Sequence, residues 1–163
     1  MANIKIVSWN PQGFQKAGIR TKQKCDFLMK EYNHNQFDIL TLQETHYQSE
    51  EALPQYIHNL KLSHHFYHTP ANAIDTYAGI VVLIEKSWTV IEKKEIVPGR
   101  LLKVVVQKGK GKIYNIMSIY VPPRKSTPGN YEKRIEVLKE IEKAYDENKV
   151  NMIIGDYNLI DSI

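Results

Sequence analysis

The chain has 163 residues, enough for one domain or part of one, and its apolar (42%) and charged (25%) fractions are those of an ordinary soluble globular protein. No apolar stretch approaches the ~20 residues of a membrane span, and the Met-Ala-Asn-Ile-Lys start has no signal-peptide profile, so an intracellular protein is expected. The single cysteine, Cys25, excludes an internal disulfide and a Cys-rich zinc site, while a net charge of +4 suits polyanionic partners without singling them out.

Residues 4–9 are rich in β-branched and aromatic side chains and predict a strand. It stops at Asn10-Pro11-Gln12-Gly13, where Pro and Gly make a turn. Residues 20–32 predict a helix with Cys25, Leu28, Met29 and Tyr32 on one apolar face. Cys25 therefore reads as core packing, because a free cysteine behaves as a small buried hydrophobe. Residues 37–42 predict a second strand, near-continuously apolar as in a sheet covered on both faces. It ends in Gln43-Glu44-Thr45-His46. Residues 49–60 predict a short helix whose start is disturbed by Pro54. His64, His65 and His68 follow. On a strand the first two point to opposite faces, and no Cys or acidic partner stands at ligand spacing. They read as surface or edge histidines rather than zinc ligands.

Residues 79–84 form the most apolar strand, and 88–96 and 100–107 predict two more. Lys108-Gly109-Lys110-Gly111-Lys112 predicts a hairpin tip, solvated, whose lysines could also meet phosphates. The strand at 113–120 ends at Tyr120, just before Pro122-Pro123, since proline cannot extend a central strand. Residues 130–148 predict a helix with an apolar stripe of Tyr131, Ile135, Leu138, Ile141 and Tyr145. A last apolar strand ends in Gly155-Asp156-Tyr157-Asn158. There is no internal repeat and no linker.

Asn10, Glu44, Tyr120 and the Asp156/Asn158 pair thus all stand where buried strands end. Charged side chains are rarely placed there for packing alone. In layered α/β folds, binding groups gather beyond strand ends while the strands hold them rigid. If these strands share a sheet and an orientation, the four endings meet on one rim. Their chemistry is mutually consistent. Carboxylate oxygens suit magnesium, a metal with an aspartate activates water, and amide and phenol groups hold phosphoryl oxygens.

Five stretches, in order along the whole chain, resemble the endonuclease/exonuclease/phosphatase or DNase-I-like superfamily of magnesium-dependent phosphodiesterases. They are Ser8-Trp9-Asn10-Pro11-Gln12-Gly13-Phe14, Leu42-Gln43-Glu44-Thr45-His46, Tyr77-Ala78-Gly79-Ile80-Val81, Ile119-Tyr120-Val121-Pro122-Pro123 and Ile154-Gly155-Asp156-Tyr157-Asn158. Gln-Glu-Thr-His and Tyr-x-Pro-Pro are most similar to the endonuclease domains of non-LTR retrotransposons, relatives of the apurinic/apyrimidinic endonucleases. The inositol-phosphatase branch continues Gly-Asp-x-Asn with Tyr-Arg, whereas Leu159-Ile160 follows here.

The resemblance implies an α/β fold, a β-sandwich flanked by helices. It implies Mg2+ (or Mn2+) as cofactor and DNA as partner, with a nuclear location if the chain is retroelement-derived. Glu44 would bind the metal with Asn10 beside it. Tyr120 would contact the scissile phosphate, Asp156 would orient or deprotonate the attacking water, and Asn158 would support it. His46 receives no role. The family's C-terminal part supplies a second metal-site acid and a Ser-Asp-His ending. This chain has no Ser-Asp-His, none of its six histidines follows the Gly-Asp-x-Asn strand, and Asp161 is no match for the missing acid.

Residues 1–163 are therefore expected to be a partial domain, truncated to mainly the first sheet and its helices. An inner sheet face left open would favour self-association. Because removing one transition-state donor costs on the order of 100-fold in rate, the chain alone is expected to be inactive or weak. The alternatives are a small-molecule or lipid-headgroup phosphoesterase of the same superfamily and a non-catalytic interaction module or degenerate remnant.

Overall fold

The computed structural model describes residues 4–14, 19–73, 75–123, 129–147 and 149–159. Its first four strands, β1 (Ile6–Trp9), β2 (Ile39–Leu42), β3 (His64–Thr69) and β4 (Ile80–Glu85), make one sheet in the order β1-β2-β4-β3. The next four, β5 (Trp88–Val97), β6 (Leu101–Lys108), β7 (Ile113–Tyr120) and β8 (Met152–Asp156), make a second in the order β5-β6-β7-β8. Three helices, α1 (Ile19–Asn35), α2 (Gln55–Leu60) and α3 (Asn130–Asp146), complete the described elements.

Two of the pairings are parallel, β1 with β2 and β7 with β8. A parallel pair needs a long crossover, and α1 and α3 supply it in each case. Both strands of such a pair end at the same edge of their sheet. The two parallel pairs also face one another across the sandwich, where β1 and β2 contact β8. All four motif-bearing strand ends thereby reach one rim, but from two sheets rather than from the single shared sheet that convergence on a rim suggested.

Three apolar clusters fill the layers. Leu28, Leu40, Leu42, Ile57, Leu60, Val81 and Leu83 join the first sheet to α1 and α2. Ile39, Val82, Ile84, Val104, Val106 and Ile116 lie between the sheets. Leu101, Met117, Ile119 and Val137 join the second sheet to α3. The order helix, sheet, sheet, helix is the expected sandwich. The expected truncation to mainly the first sheet does not hold, because the second sheet has as many strands as the first. The open inner face does not exist either. Ile80, Val82 and Ile84 are fully buried against Val104 and Ile116, so the physical ground for self-association through a sheet face is gone.

The helices differ from their sequence reading in some of the side chains they turn inward. α3 turns Arg134 and Val137 inward and leaves Tyr131 and Tyr145 at 64% and 73% exposed. An arginine is tolerated inside because Arg134 Nη1 donates to the Pro122 carbonyl at 2.6 Å and to that of Asn158 at 3.4 Å. In α1, Leu28 is buried with Cys25 and Tyr32 packed beside the cluster, but Met29 faces out. Burial, followed by the charge of Asp26, raises the Cys25 thiol above its ordinary value. Asn148, the last residue of the predicted α3, lies outside the described residues, as do Ile160 and Asp161. Pro54 stands just before α2 and delays its start to Gln55. β3 is an edge strand, yet His64 is buried rather than on the surface, with Nδ1 3.1 Å from the Leu60 carbonyl.

Asp38 pins the end of the sandwich opposite the rim. It accepts from Lys5 N (2.9 Å), Trp88 Nε1 (3.0 Å) and Lys108 Nζ (2.9 Å). Lys108 is thus engaged in structure, while the rest of the Gly-Lys hairpin tip is exposed.

Candidate active site

The rim is built from chain ends that cannot continue as strand. Beyond β1, the Asn10 side-chain oxygen accepts from Gln12 N at 2.8 Å, which turns the chain and points the amide nitrogen away from the turn. That nitrogen, Asn10 Nδ2, lies 2.7 Å from Glu44 Oε2 and 2.7 Å from Asp156 Oδ2. One amide therefore bridges a carboxylate from the first sheet to a carboxylate from the second.

Backbone strain is concentrated here. Among the described residues, Gln12, Glu44, His46 and Asn158 all have positive φ, between 44° and 64°. Non-glycine residues adopt this region rarely, at a cost of order 1–3 kcal/mol each, and such residues cluster at functional sites. Gly13 (φ +79°) follows the same logic, since a Cβ there would stand 2.3 Å from the His46 ring.

Glu44 is half-buried. Burial by itself would raise its carboxyl, but hydrogen bonds from His46, Asn10 and the Tyr120 hydroxyl outweigh that and hold it below the ordinary range. His46 Nε2 is 3.4 Å from Glu44 Oε1, and its ring meets Tyr77 edge-on at 5.3 Å. Tyr120 is 3% exposed, and burial followed by the Glu44 charge pushes its phenol well above the usual tyrosine range. It is a proton donor across the ordinary pH range. Asp156 accepts from Asn158 N at 2.9 Å, while the Asn158 side chain donates to Val121 O at 2.8 Å. Asn158 thus supports Asp156 through its backbone and ties the β7 and β8 ends together through its side chain.

Asn10, Glu44, Tyr120 and Asp156 are all brought to this rim, and Asn158 buttresses it. Three neighbouring residues, singled out by no role in the sequence, complete the frame of the rim. Gln43 is buried directly beneath Glu44, accepts from Ser8 Oγ at 3.1 Å and donates to Thr41 Oγ1 at 2.8 Å. Arg100 and Asp75 form an ion pair behind Tyr120. A polar residue following an apolar strand is the only hint for Gln43. Nothing local marks Arg100, which begins an apolar run after Gly99.

Among the described residues, no set of three His, Cys, Asp or Glu side chains forms a closed metal cage. Magnesium keeps several waters and is held by one or two carboxylates together with substrate phosphate. Glu44 is the carboxylate that could hold such an ion here, with Asp156 facing it across the Asn10 bridge. The Asn10 oxygen is occupied by Gln12 N, so Asn10 presents a donor to the site in this arrangement.

No protein-family model and no curated protein matches the sequence. Solved structures do match in three dimensions. D. rerio TDP2 complexed with single-strand DNA product superposes with a TM-score of 0.70 at 21% identity, over 97% of this chain and 62% of that one. The 3′ phosphatase NExo from Neisseria, bound to a product DNA hairpin, gives 0.70 at 15% identity, over 98% and 60%. An AP endonuclease from Archaeoglobus fulgidus gives 0.64 at 16% identity, over 96% and 58%. The chain has the DNase-I-like fold shared by these structures, and it spans about three fifths of their length.

Proposed function

We propose that this rim is the metal-dependent site of a phosphodiesterase of the DNA-endonuclease type. The observation that carries the reading is the Asn10 bridge, 2.7 Å to a carboxylate on each side. Two partly buried acids held face to face leave a concentration of negative charge that a divalent cation neutralises. Magnesium, or manganese, supplies Lewis-acid polarisation of a phosphoryl oxygen when bound. Glu44 holds the ion. Asp156 orients the attacking water and takes its proton. The Tyr120 hydroxyl, kept protonated, donates to a phosphoryl oxygen as charge develops there.

DNA as substrate is favoured by the DNA-bound state of two of the similar structures and by the chain's net charge of +4. Gln43-Glu44-Thr45-His46 and Tyr120-Val121-Pro122-Pro123 favour the retroelement-type endonucleases within that class, and a nuclear location goes with them. The coverage of about three fifths of the similar structures favours a partial domain whose remaining catalytic groups come from further polypeptide. Among the described residues no helix is long and apolar enough to cross a membrane.

The test is nicking of supercoiled plasmid in magnesium, with Asp156→Ala as control and gel filtration of the same sample. The expected result is a folded, unaggregated chain whose nicking is weak and vanishes with Asp156→Ala. Vigorous nicking that survives this substitution overturns the assignment. Hydrolysis of a small phosphodiester without any action on DNA moves it to the small-molecule branch.

A further inference from the structure

Arg100 is 1% exposed, the largest side chain buried so completely among the described residues. A buried guanidinium costs several kcal/mol unless its charge and donors are matched, so a position meant only for packing would carry an apolar residue. Here a fork matches the charge, while the buried Nη1 has no hydrogen-bond partner among the described residues. Arg100 Nε donates to Asp75 Oδ2 at 2.8 Å and Nη2 donates to Asp75 Oδ1. The paired plane lies over the Tyr120 ring, with Cζ 4.4 Å from the centroid. The backbone closes the same unit, since Tyr120 N donates to Arg100 O at 2.8 Å.

Asp75 belongs to the loop between β3 and β4. Its own turn is fixed by Asp75 N donating to Asn72 Oδ1 at 2.7 Å and Ala78 N donating to Asp75 O at 3.3 Å. Farther along, the loop grips the Glu44 segment. His46 N donates to Ala78 O at 3.0 Å and Thr45 N to Gly79 O at 3.1 Å. The loop thus links the Glu44 segment to the face of Tyr120 through the Asp75–Arg100 ion pair, beside the direct hydrogen bond from the Tyr120 hydroxyl to Glu44.

We infer that Arg100, clamped by Asp75, is a positioning residue that fixes the plane of Tyr120, so that the phenol hydroxyl stays on the Glu44 carboxylate and on the substrate oxygen that takes its place. The last clause rests on the phosphodiesterase reading, while the clamp itself does not. A planar, doubly hydrogen-bonded cation does this where lysine cannot, because an ammonium is a point charge on a flexible stem. Cation–π attraction holds the ring against the plane.

The experiment compares wild type, Arg100→Lys and Asp75→Asn in protein labelled with 13C-tyrosine, with Tyr120 assigned from Tyr120→Phe. Wild type is expected to give one narrow Tyr120 ring signal. Both variants are expected to move and broaden that signal while leaving Tyr114 and Tyr157 in place. Unchanged Tyr120 signals in a folded variant overturn the inference. If Arg100→Lys fails to fold, Asp75→Asn, which keeps the arginine, decides by the same readout. Manganese added to each sample tests the metal reading separately. Paramagnetic broadening of Tyr120 in wild type reports an ion at Glu44. Its absence defeats the metal reading and leaves the comparison of Tyr120 signals intact.

Discussion

Asn10→Ala removes the amide that joins the two sheets at the rim. Each of its contacts is a 2.7 Å hydrogen bond to a carboxylate. Hydrogen bonds to charged groups are worth about 1.5–3 kcal/mol each, and one nitrogen serving two acceptors places the pair near the lower end, about 3 kcal/mol in total. In a chain of this size that lowers Tm by about 6–12 °C. The measurement is thermal unfolding in EDTA at neutral pH, repeated down the pH scale. The sign of the pH effect follows from Glu44. Burial raises its carboxyl, but His46, Asn10 and Tyr120 together hold the folded value below the unfolded one. Its stabilisation is therefore fully present above the unfolded value of about 4.3 and is lost as pH falls through the lower folded value. The gap between wild type and Asn10→Ala should be full at pH 7 and close in acid. A gap under about 1 kcal/mol at pH 7, or one that does not change with pH, would refute this reasoning.

Other substitutions test the frame around the rim. Gly155 has φ +142° and a Cβ there would stand 2.0 Å from the Ile119 carbonyl, so Gly155→Ala should cost about 2–4 kcal/mol by chemical denaturation; a loss near zero would mean that β8 does not lie against Ile119. Val137→Asp should leave no cooperative unfolding transition by circular dichroism, whereas Tyr145→Asp should stay within about 0.5 kcal/mol of wild type, and the reverse outcome would restore the Tyr131–Tyr145 stripe as the inner face of α3. Asp38→Asn should cost about 2–3 kcal/mol, because Lys5 N, Trp88 Nε1 and Lys108 Nζ all lose a charged acceptor. Burial raises the Asp38 carboxyl, but those donors hold it below its ordinary value, so this difference should be present at neutral pH and vanish in strong acid. Lys108→Ala should cost less than about 1 kcal/mol, since Lys108 is 45% exposed.

The sequence marks the rim because each of its acids and amides follows a run that can only be buried strand. Ile113–Tyr120 matches its predicted limits, and α1 and α3 stand where a parallel pair requires a crossover. Which strands share a sheet is not written locally. The short link from Glu85 to Trp88 changes sheets and looks like any hairpin turn, so the sequence alone leaves the second sheet unrecognised. Buried arginines are illegible for a related reason. Arg134 and Arg100 find their partners at Pro122, Asn158 and Asp75, none within a helical turn of them. Periodicity counts an arginine as solvent-facing, so the predicted stripe takes in the exposed Tyr131 and Tyr145 in place of Arg134 and Val137, while its Leu138 and Ile141 do pack against the core. Gln43 escapes because a polar side chain after a strand reads as a turn residue, although here it lies buried in a hydrogen-bonded network under Glu44.

Manganese binding to the purified chain, followed by calorimetry in wild type and Glu44→Gln, tests the metal assignment of the rim without depending on turnover. Glu44→Gln keeps the shape of the side chain and removes its charge. A single manganese site is expected in wild type and at least tenfold weaker binding in Glu44→Gln, with Tm in EDTA showing that the variant is folded. Equal affinity in the two proteins, or no binding to a folded wild type, would contradict it.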